Sequence, residues 1–166
     1  MASKPWPSLA ALQLARAYDS LVELVRHPAR DQPDAVSAAL ARFLVVRASG
    51  YVEQVAAEAC RAFLESKTYV PQSRAFAVSW FRYGVNPTPD NLLELVNRFD
   101  GGWGKELAAF LNADDELLLR ELSFLVDRRN KIAHGASEGI GAAKALELSG
   151  HARTIGDWFL SRFDPR

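Results

Sequence analysis

Near the end of a long amphipathic stretch the chain reads Asp127-Arg128-Arg129-Asn130-Lys131-Ile132-Ala133-His134-Gly135. An arginine, an amide and a histidine fall there within little more than one helical turn, directly before a glycine suited to stopping a helix. Phosphodiester cleavage needs these groups. Arginine presents a fixed fork of donors to phosphate oxygens and histidine moves protons near neutral pH, so the pair has the means to cut RNA without a metal. The competing account is a plain charged helix end. Asp114, Asp115 and Glu116 open the stretch while Arg128, Arg129, Lys131 and His134 close it, the distribution that the backbone dipole favours in any solvated helix. Asn130 fits that account less well, being a mediocre helix former in an interior position, four residues before His134 and on the same face. The residue types alone leave both accounts open.

The stretch must be a helix that faces two ways. At 100° per residue Leu118, Leu122, Leu125 and Ile132 form one stripe with Arg129 at its edge, and Leu119, Ser123, Val126 and Asn130 form a second that His134 extends. A helix apolar on two sides wants two neighbours. The first stripe is expected to pack in its own bundle. The second is expected to meet a partner subunit across a two-fold axis, or else to be covered within the same chain.

Around this stretch helical periodicity dominates and strand alternation is nearly absent, so an all-α fold is expected. Ser8 can cap a first helix whose Leu9, Leu12, Leu14, Tyr18, Leu21, Val22 and Val25 recur at three and four, ending before His27-Pro28 with His27 as a helix-end residue. A second helical region runs from about Asp34 to Lys67, interrupted or kinked near Ser49-Gly50. Shorter helices are expected over residues 73–83, from a Thr88 cap with Pro89 at the first helical position to about Phe99, and briefly up to Leu111. Between the last two, Gly101-Gly102-Trp103-Gly104 reads as a turn, because it lacks both the lysine and the preceding strand of a phosphate loop. Asn112 or Asp114 should cap the motif helix. A loop from Gly135 through Gly139 or Gly141 should lead to a last helix ending near Phe163 and anchored by Trp158 and Phe159. Residues 1–166 are expected to form a single domain, with residues 1–7 flexible.

Composition supports that organisation. The chain has 166 residues, 49% of them hydrophobic, enough for one sizeable core. Twenty basic and twenty acidic residues cancel, so any RNA contact should be a local patch in a neutral shell rather than broad electrostatic capture. The lone Cys60 rules out an internal disulfide and fits a reducing compartment. No uninterrupted apolar run of about eighteen residues is present and the first residues carry no apolar signal-peptide core, so a cytoplasmic location without membrane contact is expected.

Arg129, four intervening residues and His134, with a polar residue directly after the arginine, resemble the Arg-x(4 to 6)-His signature of the HEPN superfamily. The wider wording Arg-Asn-x-Ile-Ala-His-Gly is similar in particular to the RiboL-PSP-HEPN branch. Two further stretches are similar to that branch: Ser49-Gly50-Tyr51-Val52-Glu53 and Asn86-Pro87-Thr88-Pro89-Asp90-Asn91-Leu92. The likeness spans about residues 35 to 160. It implies an all-α, HEPN-like bundle of about five to seven helices that dimerises so that the motifs of two subunits meet. It implies metal-independent endoribonuclease activity, with toxin-antitoxin or phage-defence roles and an antitoxin protein as a further partner. Arg129, His134 and Asn130 are then the catalytic candidates and Arg128 and Lys131 the peripheral RNA contacts. Glu53 is a candidate to hold the arginine or a base, against an ordinary helix-surface glutamate.

No cofactor and no metal are expected. His27, His134 and His151 are scattered in the sequence, and no His-x-x-x-His pair or acidic ligand cluster is apparent. The rival to a ribonuclease is a non-catalytic dimeric helical module that holds RNA or a partner protein with the same motif, since cutting and holding a phosphate use the same residues.

Overall fold

The computed structural model describes residues 5–81, 84–135 and 139–166. Among them are seven helices and no strand: α1 (Leu9–Arg26), α2 (Asp34–Lys67), α3 (Pro71–Ser79), α4 (Pro89–Asn97), α5 (Gly101–Leu111), α6 (Ala113–Ala133) and α7 (Ala142–Arg162). Local signals set several ends as the sequence leads one to expect. The Ser8 hydroxyl accepts the Ala11 N–H at 3.2 Å, the Thr88 hydroxyl accepts that of Asn91 at 3.2 Å, and Pro89 opens α4. Of residues 1–7, expected to be flexible, 1–4 lie outside the described residues, and Trp6 is tied to the bundle, its indole N–H donating to the Leu160 carbonyl at 2.8 Å.

α2 is the axis of the bundle. It packs most extensively on α7 and also touches α1, α3 and α6. By length and composition it is apolar enough to cross a membrane, yet Leu44, Val45, Val52, Val55, Ala59 and Cys60 are fully buried among the other helices. The helix runs unbroken through Ser49-Gly50, where an interruption was one expectation. Burial of Ala48, Ser49, Tyr51 and Val52 within little more than one turn outweighs the weak helix propensity of one glycine.

At the α2–α7 contact the Tyr51 ring rests on Gly156, where an added Cβ would lie 2.7 Å from a ring carbon. Tyr18 of α1 stacks on Tyr51 with centroids 4.3 Å apart and 11° between planes, and its hydroxyl donates to the Ser149 carbonyl of α7 at 3.0 Å. Outside this pair Arg153 of α7 reaches Asp19 of α1 with both carboxylate oxygens within 3.0 Å. At the other end of α7 the rings of Phe63, Phe99 and Trp103 meet Phe163 edge to face, and Phe159 stacks on Phe163 to close the core.

Three elements differ from expectation. The run Gly101-Gly102-Trp103-Gly104 is the first turn of α5, not a break, because the Asp100 carboxylate accepts the N–H groups of Gly102 and Trp103 at 2.7 and 3.0 Å. Gly104 has its own reason to lack a side chain, since a Cβ there would strike the Asn97 amide. α3 begins at Pro71, two residues early, and ends at Ser79; the expected end at Tyr83 lies outside the described residues. Finally, neither Asn112 nor Asp114 caps α6 through its side chain. Asp114, Asp115 and Glu116 take left-handed backbone angles (φ 50, 56 and 62°), and the Asn112 amide donates back to the Ala108 carbonyl at 2.7 Å. A left-handed turn does not present its N–H groups to a preceding side-chain oxygen, and each such residue costs about 1–2 kcal/mol. Packing of α6 on α2, α5 and α7 holds the turn.

The two stacked tyrosines make opposite predictions. The Tyr18 hydroxyl is bonded and the buried Tyr51 hydroxyl has no hydrogen-bond partner among the described residues. Tyr18→Phe should therefore cost about 1 kcal/mol in urea unfolding, while Tyr51→Phe should be neutral or stabilising. Burial, above all, pushes both hydroxyls up, that of Tyr51 to about 12 from an ordinary value of 10. The unfolded chain releases these protons first. The stabilisation is thus whole below about pH 10 and lost as pH rises toward 12. Absorbance at 295 nm should show both groups ionising only together with alkaline unfolding.

Candidate active site

α6 delivers the motif to the surface at its last turn. Leu122 and Leu125 are 1% exposed, which fixes the rotation of the helix, and Ile132 packs half-buried against the core. Gly135 then takes φ +79°, and the N–H groups of His134 and Gly135 bond back to the Asn130 and Ile132 carbonyls at 3.0 Å each. This is the left-handed glycine stop that the sequence points to. It leaves His134 as the first residue past the helix, exposed, with its backbone tied and its imidazole bonded to nothing among the described residues.

Arg129 and Asn130 are half-buried on the turn below. The Arg129 guanidinium donates to the Asn130 side-chain oxygen at 2.9 Å. No carboxylate among the described residues pairs with Arg129, so its charge is compensated only by a neutral amide. The neighbouring cations differ. Lys131 lies 3.0 Å from Asp127, while Arg128 sits 3.9 Å from Asp127 with its guanidinium over the Phe124 ring at 4.7 Å. A phosphate at Lys131 or Arg128 would have to compete with that carboxylate, whereas at Arg129 it would displace an uncharged group.

The second stripe of α6 is corrected in part. Val126 is 4% exposed within the single chain and so faces its own bundle, while Leu119 packs half-buried against the core. What the stripe leaves open to solvent is Ser123 and the motif end itself. Glu53 is not brought to the motif either. Its carboxylate lies against Gly84, where a Cβ would fall 1.8 Å from an oxygen, and it forms no hydrogen bond or ion pair with Arg129. It lines a pocket of about 550 Å³ between α2, α3 and α4, together with Phe76, Trp80, Phe81, Arg98 and Phe99. Sequence reasoning missed this pocket. Its one sequence signal is the aromatic density of residues 76–81, which reads equally well as core.

One acidic ligand cluster that spacing did not reveal does form. Glu121 of α6 and Glu147 and His151 of α7 bring ligand atoms within 4.8 Å of one another. The Lys144 ammonium already stands in it, 2.7 Å from Glu121 and 3.2 Å from Glu147. The bond to Glu121 holds that ammonium above its ordinary range, so the carboxylates are compensated from within and the cluster fastens α6 to α7. Cys60 is buried, which pushes its thiol up and removes it as a nucleophile.

A model of the RiboL-PSP-HEPN family matches residues 13–157, from the second turn of α1 to Asp157 in the last part of α7. No curated protein and no solved structure is found to match the chain.

The geometry of the helix end separates function from stability. His134→Ala should change unfolding free energy by less than about 0.5 kcal/mol, as for other exposed positions. Gly135→Ala should cost about 1 kcal/mol, since alanine must adopt the positive φ. Urea denaturation of both variants checks this. A large loss for His134→Ala would mark the imidazole as structural.

Proposed function

From the premise that the chain belongs to the RiboL-PSP-HEPN family, we propose that it is a metal-independent endoribonuclease that works as a homodimer. The observation that carries this reading is the helix end, where an exposed imidazole and an arginine with no carboxylate partner among the described residues stand little more than one turn apart. In a structural helix end the guanidinium would gain most from an anionic side chain. Here it is left with a group that a phosphate can replace.

The chemistry follows from the residue types. His134 takes the proton from a ribose 2′-hydroxyl, the oxygen attacks the adjacent phosphorus, and Arg129 stabilises the charge that gathers on the phosphoryl oxygens. The 5′-oxygen leaves with a proton from a second histidine, giving a 2′,3′-cyclic phosphate and a 5′-hydroxyl. One chain offers a single motif histidine, and among the described residues its ring has no orienting partner. Two motifs meeting across a two-fold axis supply both proton carriers, which is why the homodimer belongs to the proposal. Asn130 positions the arginine and yields it to the substrate. Arg128 and Lys131 contribute at most peripheral phosphate contacts, each in exchange for Asp127.

Incubation with mixed single-stranded RNA in excess EDTA should give fragments with cyclic phosphate ends. His134→Ala should lose turnover and keep RNA affinity. Arg129→Ala should lose both, and Arg129→Lys should recover only part because a point charge does not reproduce the fork. Sedimentation equilibrium at micromolar concentration should show a dimer. Parent-rate cleavage by His134→Ala, or cleavage only with added divalent metal, would overturn the assignment. RNA binding without cleavage by the native protein would point to the non-catalytic module.

A further inference from the structure

No residue of α3 is buried. Phe76 and Trp80 are 69% and 63% exposed, set edge to face at 6.4 Å, and they form one wall of the pocket between α2, α3 and α4. Phe81 and Phe99, with centroids 6.2 Å apart, extend the lining, and Ala56 and Leu92, each 1% exposed, give it a floor within the core. The volume of about 550 Å³ falls inside the roughly 300–1,000 Å³ of small-ligand sites, which combine a mostly apolar lining with a few polar groups that fix orientation. Exposed rings over an apolar floor are unfavourable to leave against water, and a molecule with an apolar body would cover them.

Charge narrows the head group. Among the described residues two charged side chains line the pocket, Glu53 and Arg98. The Glu53 carboxylate lies against Gly84, which lines the neighbouring pocket with Glu58 and Arg61 and not this one. Arg98 has its guanidinium 6.0 Å from the Trp80 ring centroid, and its ion pair with Glu94 is exposed on both sides. An exposed pair of that kind holds loosely, so a second carboxylate can share the guanidinium or take it over. The surrounding sequence adds no negative charge to oppose it: α3 falls between Glu65 and Asp90, the longest stretch of the chain without an acidic residue. An ammonium head would face Arg98 as a like charge, with no carboxylate on α3 to receive it.

We propose that this pocket binds a small organic acid with an apolar body, of which a medium-chain carboxylate is the simplest. The body lies between the Phe76–Trp80 wall and the floor at Ala56 and Leu92, and the carboxylate meets Arg98. This site uses no residue of the α6 motif and goes beyond the ribonuclease reading, on which it does not depend.

Calorimetric titration of the native protein, below the micelle threshold, should show decanoate binding about 3–10-fold tighter than decylammonium, as one exposed charge that attracts the first head and repels the second would give. Arg98→Gln should remove that preference and keep a comparable affinity for the shared chain. Trp80→Ala should weaken decanoate about tenfold through lost ring contact. Tyr69→Ala, at a position 86% exposed and outside the pocket lining, should leave the affinity unchanged. Both Arg98 and Trp80 are exposed, so the fold should survive either change; thermal melts check this, and should one variant fail to fold the other decides. Decylammonium binding as well as decanoate or better, a preference that survives Arg98→Gln, or an unchanged affinity in Trp80→Ala would each overturn the proposal. So would an equal loss in Tyr69→Ala, which would mark mere adsorption to exposed rings. If decanoate does not bind the native protein at all, the proposal fails and the exposed rings belong to a macromolecular contact.

Discussion

The seat that Gly156 leaves for the Tyr51 ring is the contact on which the rest of the bundle hangs. α2 and α7 are its two longest partners in contact, and they close to that distance because a ring lies where a β-carbon would be. Tyr18 then has a flat surface to stack on, α1 is drawn in, and Arg153 ties its outer side to Asp19. α6 packs on the α2–α7 pair, so the rotation of the motif helix is decided by packing well away from the motif. Shifting the tyrosine would move the floor under Leu122 and Leu125, and with it the direction in which Arg129 and His134 leave the surface.

The motif end itself is built for presentation more than for strength. The N–H groups of His134 and Gly135 are bonded back into the helix, and among the described residues its side chains are spare: a histidine past the last turn, an arginine that holds an amide, and a glycine in the left-handed region that turns the chain away. Elsewhere the same protein pairs its charges closely. Arg61 is held by Glu58 and Glu65, Lys144 by Glu121 and Glu147, and Arg153 by Asp19 and Asp157. Arg129, which among the described residues holds only the Asn130 amide, differs from these pairs at the place where the family signature falls.

Much of this could be read from the residues. Serine, threonine and proline marked the starts of α1 and α4, and Gly135 the stop of α6, because a cap is a local interaction written in one or two side chains. The Gly101–Gly104 run failed as a turn for the same reason in reverse. The carboxylate of Asp100 outweighed three weak helix formers, and that carboxylate was there to be read as a cap. Val126 was placed on an outward stripe because an angular plot tells which residues share a side but not how many neighbours cover it. The Glu121, Glu147 and His151 cluster joins two helices, and only the Glu147-to-His151 spacing of four lay in the sequence. Glu53 was singled out by likeness alone, and its surroundings depend on how α3 lies over α2, which no periodicity encodes.

The bond between Arg129 and Asn130 gives the guanidinium a reference partner. A guanidinium facing bulk water would take up any passing anion, chloride included. One that already holds an amide oxygen trades partners only when the newcomer gives more than it displaces, and a monatomic ion offering one contact gives little. A group with two oxygens spaced to match the fork repays the exchange. The amide thus sets a threshold that screens newcomers by geometry, and the half-buried setting keeps that comparison from being washed out by solvent.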